Sequence, residues 1–208
     1  MYVKHRMTVD PISVKPENTV SQVLDLMKEK NLHRLPVTQD GKLVGLITQS
    51  TIQKNTPSNF TSLSMHELNY LLSKTTVKDI MIKKVITATP NMTMEEAADI
   101  MEKQDIGCLP VTGESNILLG ILTTSDILHA FVELMGHNLE GSMRISGRFS
   151  SNKVGVLADF TKLFAEYNIN VTHAAIIEDG FHIRCDSQDT KKLTKMLESH
   201  GYTVDEIG

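Results

Sequence analysis

Apolar residues along the chain keep two rhythms, one of a helix and one of a strand. Val20, Val23, Leu24 and Met27 recur at three- and four-residue spacing and predict a helix. Thr19 is placed to cap it, with Gln22 in the reciprocal capping-box position. Residues 35–38 and 43–47 are short apolar runs separated by Asp40-Gly41, a tight-turn signal, and predict paired strands. A strand at 11–14 is expected before the helix. A second helix is expected from about Thr48 to Lys54, ended by Pro57. The same grammar then returns. Met94, Ala97, Ala98 and Met101 make a helical face capped by Thr93 and Glu96, residues 109–112 and 117–122 read as strands, and a helix after Thr123 runs to Met135 and meets Gly136.

The return extends to single residues. At an offset of 74, Met7 falls on Met81, Ile12 on Ile86, Pro16 on Pro90, Asp25 on Asp99 and Met27 on Met101, and Leu35-Pro36-Val37-Thr38 falls on Leu109-Pro110-Val111-Thr112. One extra residue in the second copy then aligns Gly45 with Gly120, Thr48 with Thr123 and Ser50 with Ser125. Two copies of one unit predict a pseudo-twofold pair, and clefts between packed copies are where small ligands settle. Between the copies, Ser64 and Glu67 form another capping box and Leu68, Leu71 and Leu72 an apolar stripe, which predicts a linker helix over 61–76.

After Gly136 the pattern changes. Strands are expected at 143–149, 170–177, 181–186 and 202–207, and helices at 156–164 and 189–200, with Asp179-Gly180 as a hairpin turn. Strand-helix-strand-strand-helix-strand is the ferredoxin-like βαββαβ order. The organisation expected is therefore 1–60 and 77–136 for the two repeats, linkers at 61–76 and 137–142, and a third domain at 143–208.

Composition narrows the function. The net charge is −4 with acids and bases interspersed, so no nucleic-acid footprint is expected. No apolar run is long enough to span a bilayer and the opening MYVKHRMTVDP has no apolar signal core, so a cytoplasmic protein without membrane contact is expected. Cys108 and Cys185 have no metal or redox spacing. The eight histidines form no HxxxH or HxH, and His173 and His182 fall on adjacent expected strands, so they are read as structural and no metal is expected. No nucleophile or P-loop motif points to an enzyme.

The sharpest motif is Gly120-Ile121-Leu122-Thr123-Thr124-Ser125-Asp126, a strand running into a Thr-x-x-Asp that opens a helix. Thr123 stands where free N–H groups favour a phosphate, and the two oxygens of Asp126 can accept from a pair of neighbouring hydroxyls. The same residues also make a plain helix cap. The first copy keeps Thr48 but has Thr51 in place of the acid, so it cannot grip a diol in the same way. His33 and Arg34 precede the Leu-Pro-Val strand, where an Arg fork suits phosphate. An exposed, solvated pair is the alternative for these two.

On the Met, Pro, Leu-Pro-Val and Gly-h-h-Thr marks, residues 1–135 resemble tandem CBS domains, the Bateman module. That resemblance implies an adenine nucleotide (AMP, ADP, ATP or a related adenosyl compound) as regulatory ligand at Thr123, Ser125 and Asp126, with Ile86, Thr87, Ala88, Cys108 and Pro110 walling the base. Thr48, His33 and Arg34 would add phosphate contacts. Residues 143–208 resemble an ACT domain, and Gly155-Val156-Leu157 opens its helix as in that family, but Asn152 replaces the acid and Val154 the proline. Amino-acid binding at Asn152, Gly155, Val156 and Leu157 and dimerisation alone are both open. The whole is similar to the acetoin-utilization (AcuB) group. The expectation is a non-enzymatic sensor of α/β (α+β) class, at least a homodimer, with a small-molecule effector and a protein target. A constitutive dimeric scaffold, or an amino-acid sensor with a vestigial cleft, is the alternative.

Overall fold

The computed structural model describes residues 1–55, 65–137, 140–149, 154–178 and 180–208. It divides into two compact units, Met1–Ile127 and Leu128–Gly208. The first unit holds β1 (Thr8–Val9), α1 (Val20–Glu29), β2 (Arg34–Gln39), β3 (Lys42–Thr48), α2 (Gln49–Asn55), α3 (Met65–Lys74) and α4 (Val77–Ile80). It continues with α5 (Met94–Lys103), β4 (Cys108–Thr112), β5 (Leu118–Thr123) and the start of α6 (Thr124–Leu134), which passes the division between the units.

Both repeats fold by the local rules their sequences carry. Gln22 N–H donates to Thr19 Oγ1 at 3.3 Å and Thr19 N–H donates back to Gln22 Oε1 at 3.0 Å. Thr93 and Glu96 make the same reciprocal box at 3.2 and 2.9 Å. Asp40 and Gly41 take the left-handed conformation, with φ of 53° and 76°, and turn β2 back onto β3. Val23, Met27, Leu35, Val37 and Ile47 form the first repeat's core, while Ala97, Met101, Leu109, Val111 and Leu122 are buried in the second. The Ser64 cap and the 150–153 loop lie outside the described residues.

One expected strand is displaced. Over 11–14 only Val14 pairs, as a single bridge to Val37, and the extended pairing comes earlier, at Thr8–Val9. Asp10, with φ of 47°, turns the chain, and Pro11 has no N–H to give a ladder.

The pairing of these leaders decides the architecture. β1 does not join its own repeat. It pairs antiparallel with β5 of the second, Thr8 opposite Ile121 and Val9 opposite Gly120. The segment before the second repeat does the reverse, and Leu46 and Ile82 exchange N–H···O bonds of 3.0 and 2.9 Å. Tyr2 bridges Thr93 as Thr76 bridges Thr19. The repeats are thus interlocked, each completed by the other's leader. This explains the repeated Met and Gly marks. A Cβ on Gly120 would lie 2.6 Å from Met7 Sδ, and one on Gly45 would lie 2.5 Å from Met81 Sδ, so each leader's methionine lies against the opposite repeat's glycine.

The second unit contains β6 (Met143–Arg148), α7 (Val156–Glu166), β7 (Val171–Ile177), β8 (Gly180–Cys185), α8 (Thr190–Ser199) and β9 (Thr203–Ile207). Its sheet order is β7-β8-β6-β9, all antiparallel, the βαββαβ topology the pattern predicted. Phe149, Phe160, Phe164, Phe181 and Tyr202 pack edge-on or tilted, with the Phe160 and Phe181 rings 4.6 Å apart. Phe181, Ile183 and Cys185 face this core, so by alternation His182 and Arg184 face the other way. Among the described residues, no helix is long and apolar enough to cross a membrane.

Candidate functional site

The strand-to-helix corner between β3 and α2 opens into a cleft of about 650 Å³. Three segments wall it: the first repeat's Thr48 to Lys54, the second repeat's leader at Ile82 and Lys84 to Ile86, and the turn at Asp105 to Cys108. His33 and Arg34 line it as well. Of the residues singled out from the sequence, His33, Arg34, Thr48, Ile86 and Cys108 are therefore brought together here.

The chemistry of the lining is basic. His33, Arg34, Lys54 and Lys84 face a single acid, Asp105. Arg34 lies over Gly107, where a Cβ would stand 2.7 Å from its Nη1, so a larger residue there would push the guanidinium aside. The same guanidinium hydrogen-bonds the Cys108 thiol. Burial pushes that thiol's pKa up, and the bond and charge of Arg34 offset part of the rise. His33 Nδ1 is 3.1 Å from Gln49 Oε1. Thr48 Oγ1 accepts the Thr51 N–H at 3.0 Å and lies 2.8 Å from Thr51 Oγ1, so these two hydroxyls satisfy one another.

Thr123, Ser125 and Asp126 occupy the equivalent corner of the second repeat, between β5 and α6. Thr123 donates to Asp126 Oδ2 from both N and Oγ1, each at 2.7 Å. Oδ1 has no hydrogen-bond partner among the described residues. The leader paired with β5 is the first repeat's, through β1 and through Asp10 N–H, which donates to Leu119 O at 3.2 Å. Ile86 goes instead with Thr48, the pairing the exchange of leaders dictates. Thr87 is half-buried and Ala88 and Pro110 are buried, and none of the three lines the open cleft. Ile12 and Ile86, equivalent in the repeat, remain 42% and 39% exposed, and Ile86 leaves an aliphatic face uncovered beside Thr48.

Lys54, Lys84 and Gln49 were missed in the sequence. Lys84 aligns with Asp10 at the repeat offset, and that reversal of sign was a readable signal. In the second unit, Gly155 caps α7 with φ of 90°, while Val156 is half-buried and Leu157 is 44% exposed. Asn152 lies outside the described residues. Among the described residues, no group of three or more His, Cys, Asp or Glu could hold a metal.

The chain matches the CBS domain over residues 3–56 and 77–133 and the ACT domain over 149–202. It is 33% identical over 146 residues to the protein MJ1426 of Methanocaldococcus jannaschii, covering 59% of this chain and 86% of that one. It is also 33% identical over 204 residues to the inosine-5'-monophosphate dehydrogenase of Korarchaeum cryptofilum, covering 96% of this chain but 35% of that enzyme's length. Among solved structures, CBSX2 in complex with AMP shares 28% identity at a TM-score of 0.54, covering 64% of this chain and 97% of that one. The CBS pair of protein MJ0100 in complex with 5'-methylthioadenosine and S-adenosyl-L-methionine shares 27% at 0.53, covering 64% and 97%. An acetoin utilization protein (AcuB) from Vibrio cholerae shares 26% at 0.55, covering 65% and 93%. With both repeats matched and their interlocked sheets in place, the chain belongs to the CBS-domain family, as a tandem CBS pair carrying a C-terminal ACT domain.

Proposed function

We propose that the CBS pair binds an adenine nucleotide carrying phosphate, and that the protein acts as a non-catalytic sensor of that nucleotide. The observation that carries this reading is the basic cleft of about 650 Å³, in which His33, Arg34, Lys54 and Lys84 outnumber Asp105. Guanidinium and ammonium groups suit a phosphate, and the exposed Ile86 offers an apolar wall to a base. AMP in CBSX2 supports the ligand class. MJ0100 binds S-adenosyl-L-methionine, a sulfonium cation that the basic lining of this chain disfavours. The likeness to AcuB supports a place in acetoin or other carbon metabolism.

The mechanism follows from where the residues come from. A nucleotide touching Thr48, Lys84 and Arg34 engages the first repeat and the second repeat's crossed leader at once. It would therefore favour one relative angle of the repeats, a population shift as large as its differential affinity for the two angles. The ACT domain serves self-association in this scheme.

Isothermal titration of the full chain with AMP, ADP, ATP, adenosine and S-adenosylmethionine tests the reading. AMP or its polyphosphates should bind at least about tenfold more tightly than adenosine, a difference of about 1.4 kcal/mol. Arg34→Gln should abolish that preference. A flat response to every adenine compound from folded protein overturns it. A second reading, a constitutive dimer or an amino-acid sensor with an idle cleft, is favoured by one observation: Thr48, Thr51 and Asp126 already satisfy one another or the local backbone. The flat titration would select it.

A further inference from the structure

The second unit has a cavity of its own, about 370 Å³, on the face of the sheet turned away from α7 and α8. The last turn of α6 forms one wall with Phe131, Leu134 and Met135. The sheet forms the other, and the strand register sets its chemistry. His173 on β7 and Arg144 on β6 both stand opposite Arg184 on β8, so three basic side chains make one row across three strands. Ala175, His182 and Ser146 make the next row. Like charges directly opposite one another in a sheet are unfavourable, and no acid among the described residues lines this cavity.

Local structure accounts for only part of this row. Arg184 Nε donates to Met135 O at 2.9 Å and Nη1 to Ser142 Oγ at 3.2 Å, which closes the carboxyl end of α6. Its remaining guanidinium nitrogen and the whole Arg144 side chain have no hydrogen-bond or ion-pair partner among the described residues. Glu206 stands opposite Ser146 and lines the neighbouring hollow with Arg144, yet forms no ion pair with it among the described residues. His173 Nδ1 is buried close against Gly136, with no hydrogen-bond partner among the described residues. Beside these bases Phe131 and Leu134 stay 59% and 57% exposed. Cationic donors on one wall and bare apolar surface on the other define the ligand: an anionic head on a compact apolar body.

We propose that this cavity binds a small organic carboxylate, its head held by Arg144 and Arg184 and its apolar body against Phe131, Leu134 and Met135. An α-amino acid fits poorly, because its ammonium group would sit among arginines with no carboxylate to receive it. The site is separate from the nucleotide cleft and from the Gly155 corner that the ACT resemblance pointed to, and it does not rest on the nucleotide reading.

Titration of the full chain with 4-methylpentanoate tests the assignment, against 4-methylpentan-1-ol and leucine as matched neutral and zwitterionic probes. The carboxylate should bind saturably, about tenfold or more tighter than either control. Arg144→Gln should weaken it about tenfold without moving the unfolding midpoint, and Arg34→Gln should leave it unchanged. Equal binding of the alcohol, equal binding of leucine, an indifferent Arg144→Gln, or no binding at millimolar carboxylate each overturn the proposal. Sedimentation of Phe131→Asp covers the remaining occupant. If that change splits a dimer while the parent protein binds no carboxylate, the face is a subunit interface and not a ligand site.

Discussion

The two repeats share a backbone plan and differ in chemistry at the same corner. In the first, Thr48 and Thr51 face a cleft with Lys54 and Lys84. In the second, Thr123 and Asp126 bond to one another, and the leader paired with β5 carries Asp10 where the first cleft has Lys84. The frame is common because the apolar positions are common, Leu35 with Leu109 and Val37 with Val111, all buried. Charge diverged most freely in the leaders, where Lys84 and Asp10 are exposed and not constrained by packing. Duplication thus supplies one scaffold twice and leaves the chemistry of each corner free to differ.

The sharpest way to break the comparison is to attack the shared frame. Leu35→Ala and Leu109→Ala remove equivalent side chains that are 1% and 0% exposed. Each should cost about 2–5 kcal/mol in urea unfolding, and the two costs should agree within about 1 kcal/mol. A large inequality would mean that the repeats are not energetic equals. The interlock comes next. Gly120→Ala places a Cβ 2.9 Å from the Thr8 carbonyl oxygen, while the same change at Gly45 meets the Ile82 oxygen at 3.1 Å and otherwise the mobile Met81 side chain. Both should destabilise by about 1–3 kcal/mol, Gly120→Ala more, because backbone yields less than a thioether. Their unfolding midpoints check the order.

Smaller effects separate the corners. Lys84→Asp gives the first cleft the second's charge and should weaken AMP binding about tenfold with a reduced salt dependence, read by titration at two ionic strengths. Asp126→Ala removes the acceptor for the Thr123 N–H and should cost about 1 kcal/mol as a lost cap, with no comparable loss from Ser125→Ala, which makes no such bond among the described residues. The smallest difference lies in the capping boxes. Glu96 in the second repeat stands where Gln22 stands in the first, and the Thr93 N–H and hydroxyl hold its carboxyl below the ordinary glutamate value of about 4.3. A lowered folded pKa stabilises fully above the unfolded value and loses that contribution as pH falls through the folded one. Glu96→Gln should therefore flatten the acid limb of the stability curve, whereas Gln22→Ala should leave its slope unchanged.

Much of this was legible beforehand because it depends on local periodicity and on self-similarity. The helix faces, both capping boxes, the Asp40-Gly41 turn and the βαββαβ order of the second unit are written in contiguous residues. So was the equivalence of Thr48 and Thr123. The displaced strand at 11–14 shows where local reading fails, since apolar content there suggested pairing that Asp10 and Pro11 prevent.

Sequence alone determined the repeat, its elements and the residue types at each corner, because these follow from side-chain pattern along the chain. Only the tertiary structure decided which leader serves which corner. Hydrogen bonds between strands do not record which repeat a strand came from, and the exchange moves Ile86 and Lys84 to Thr48 and pairs the first repeat's leader, Thr8 to Asp10, with β5. The row His173, Arg184 and Arg144 is equally invisible in one dimension, since strand register, not spacing along the chain, sets those three bases side by side.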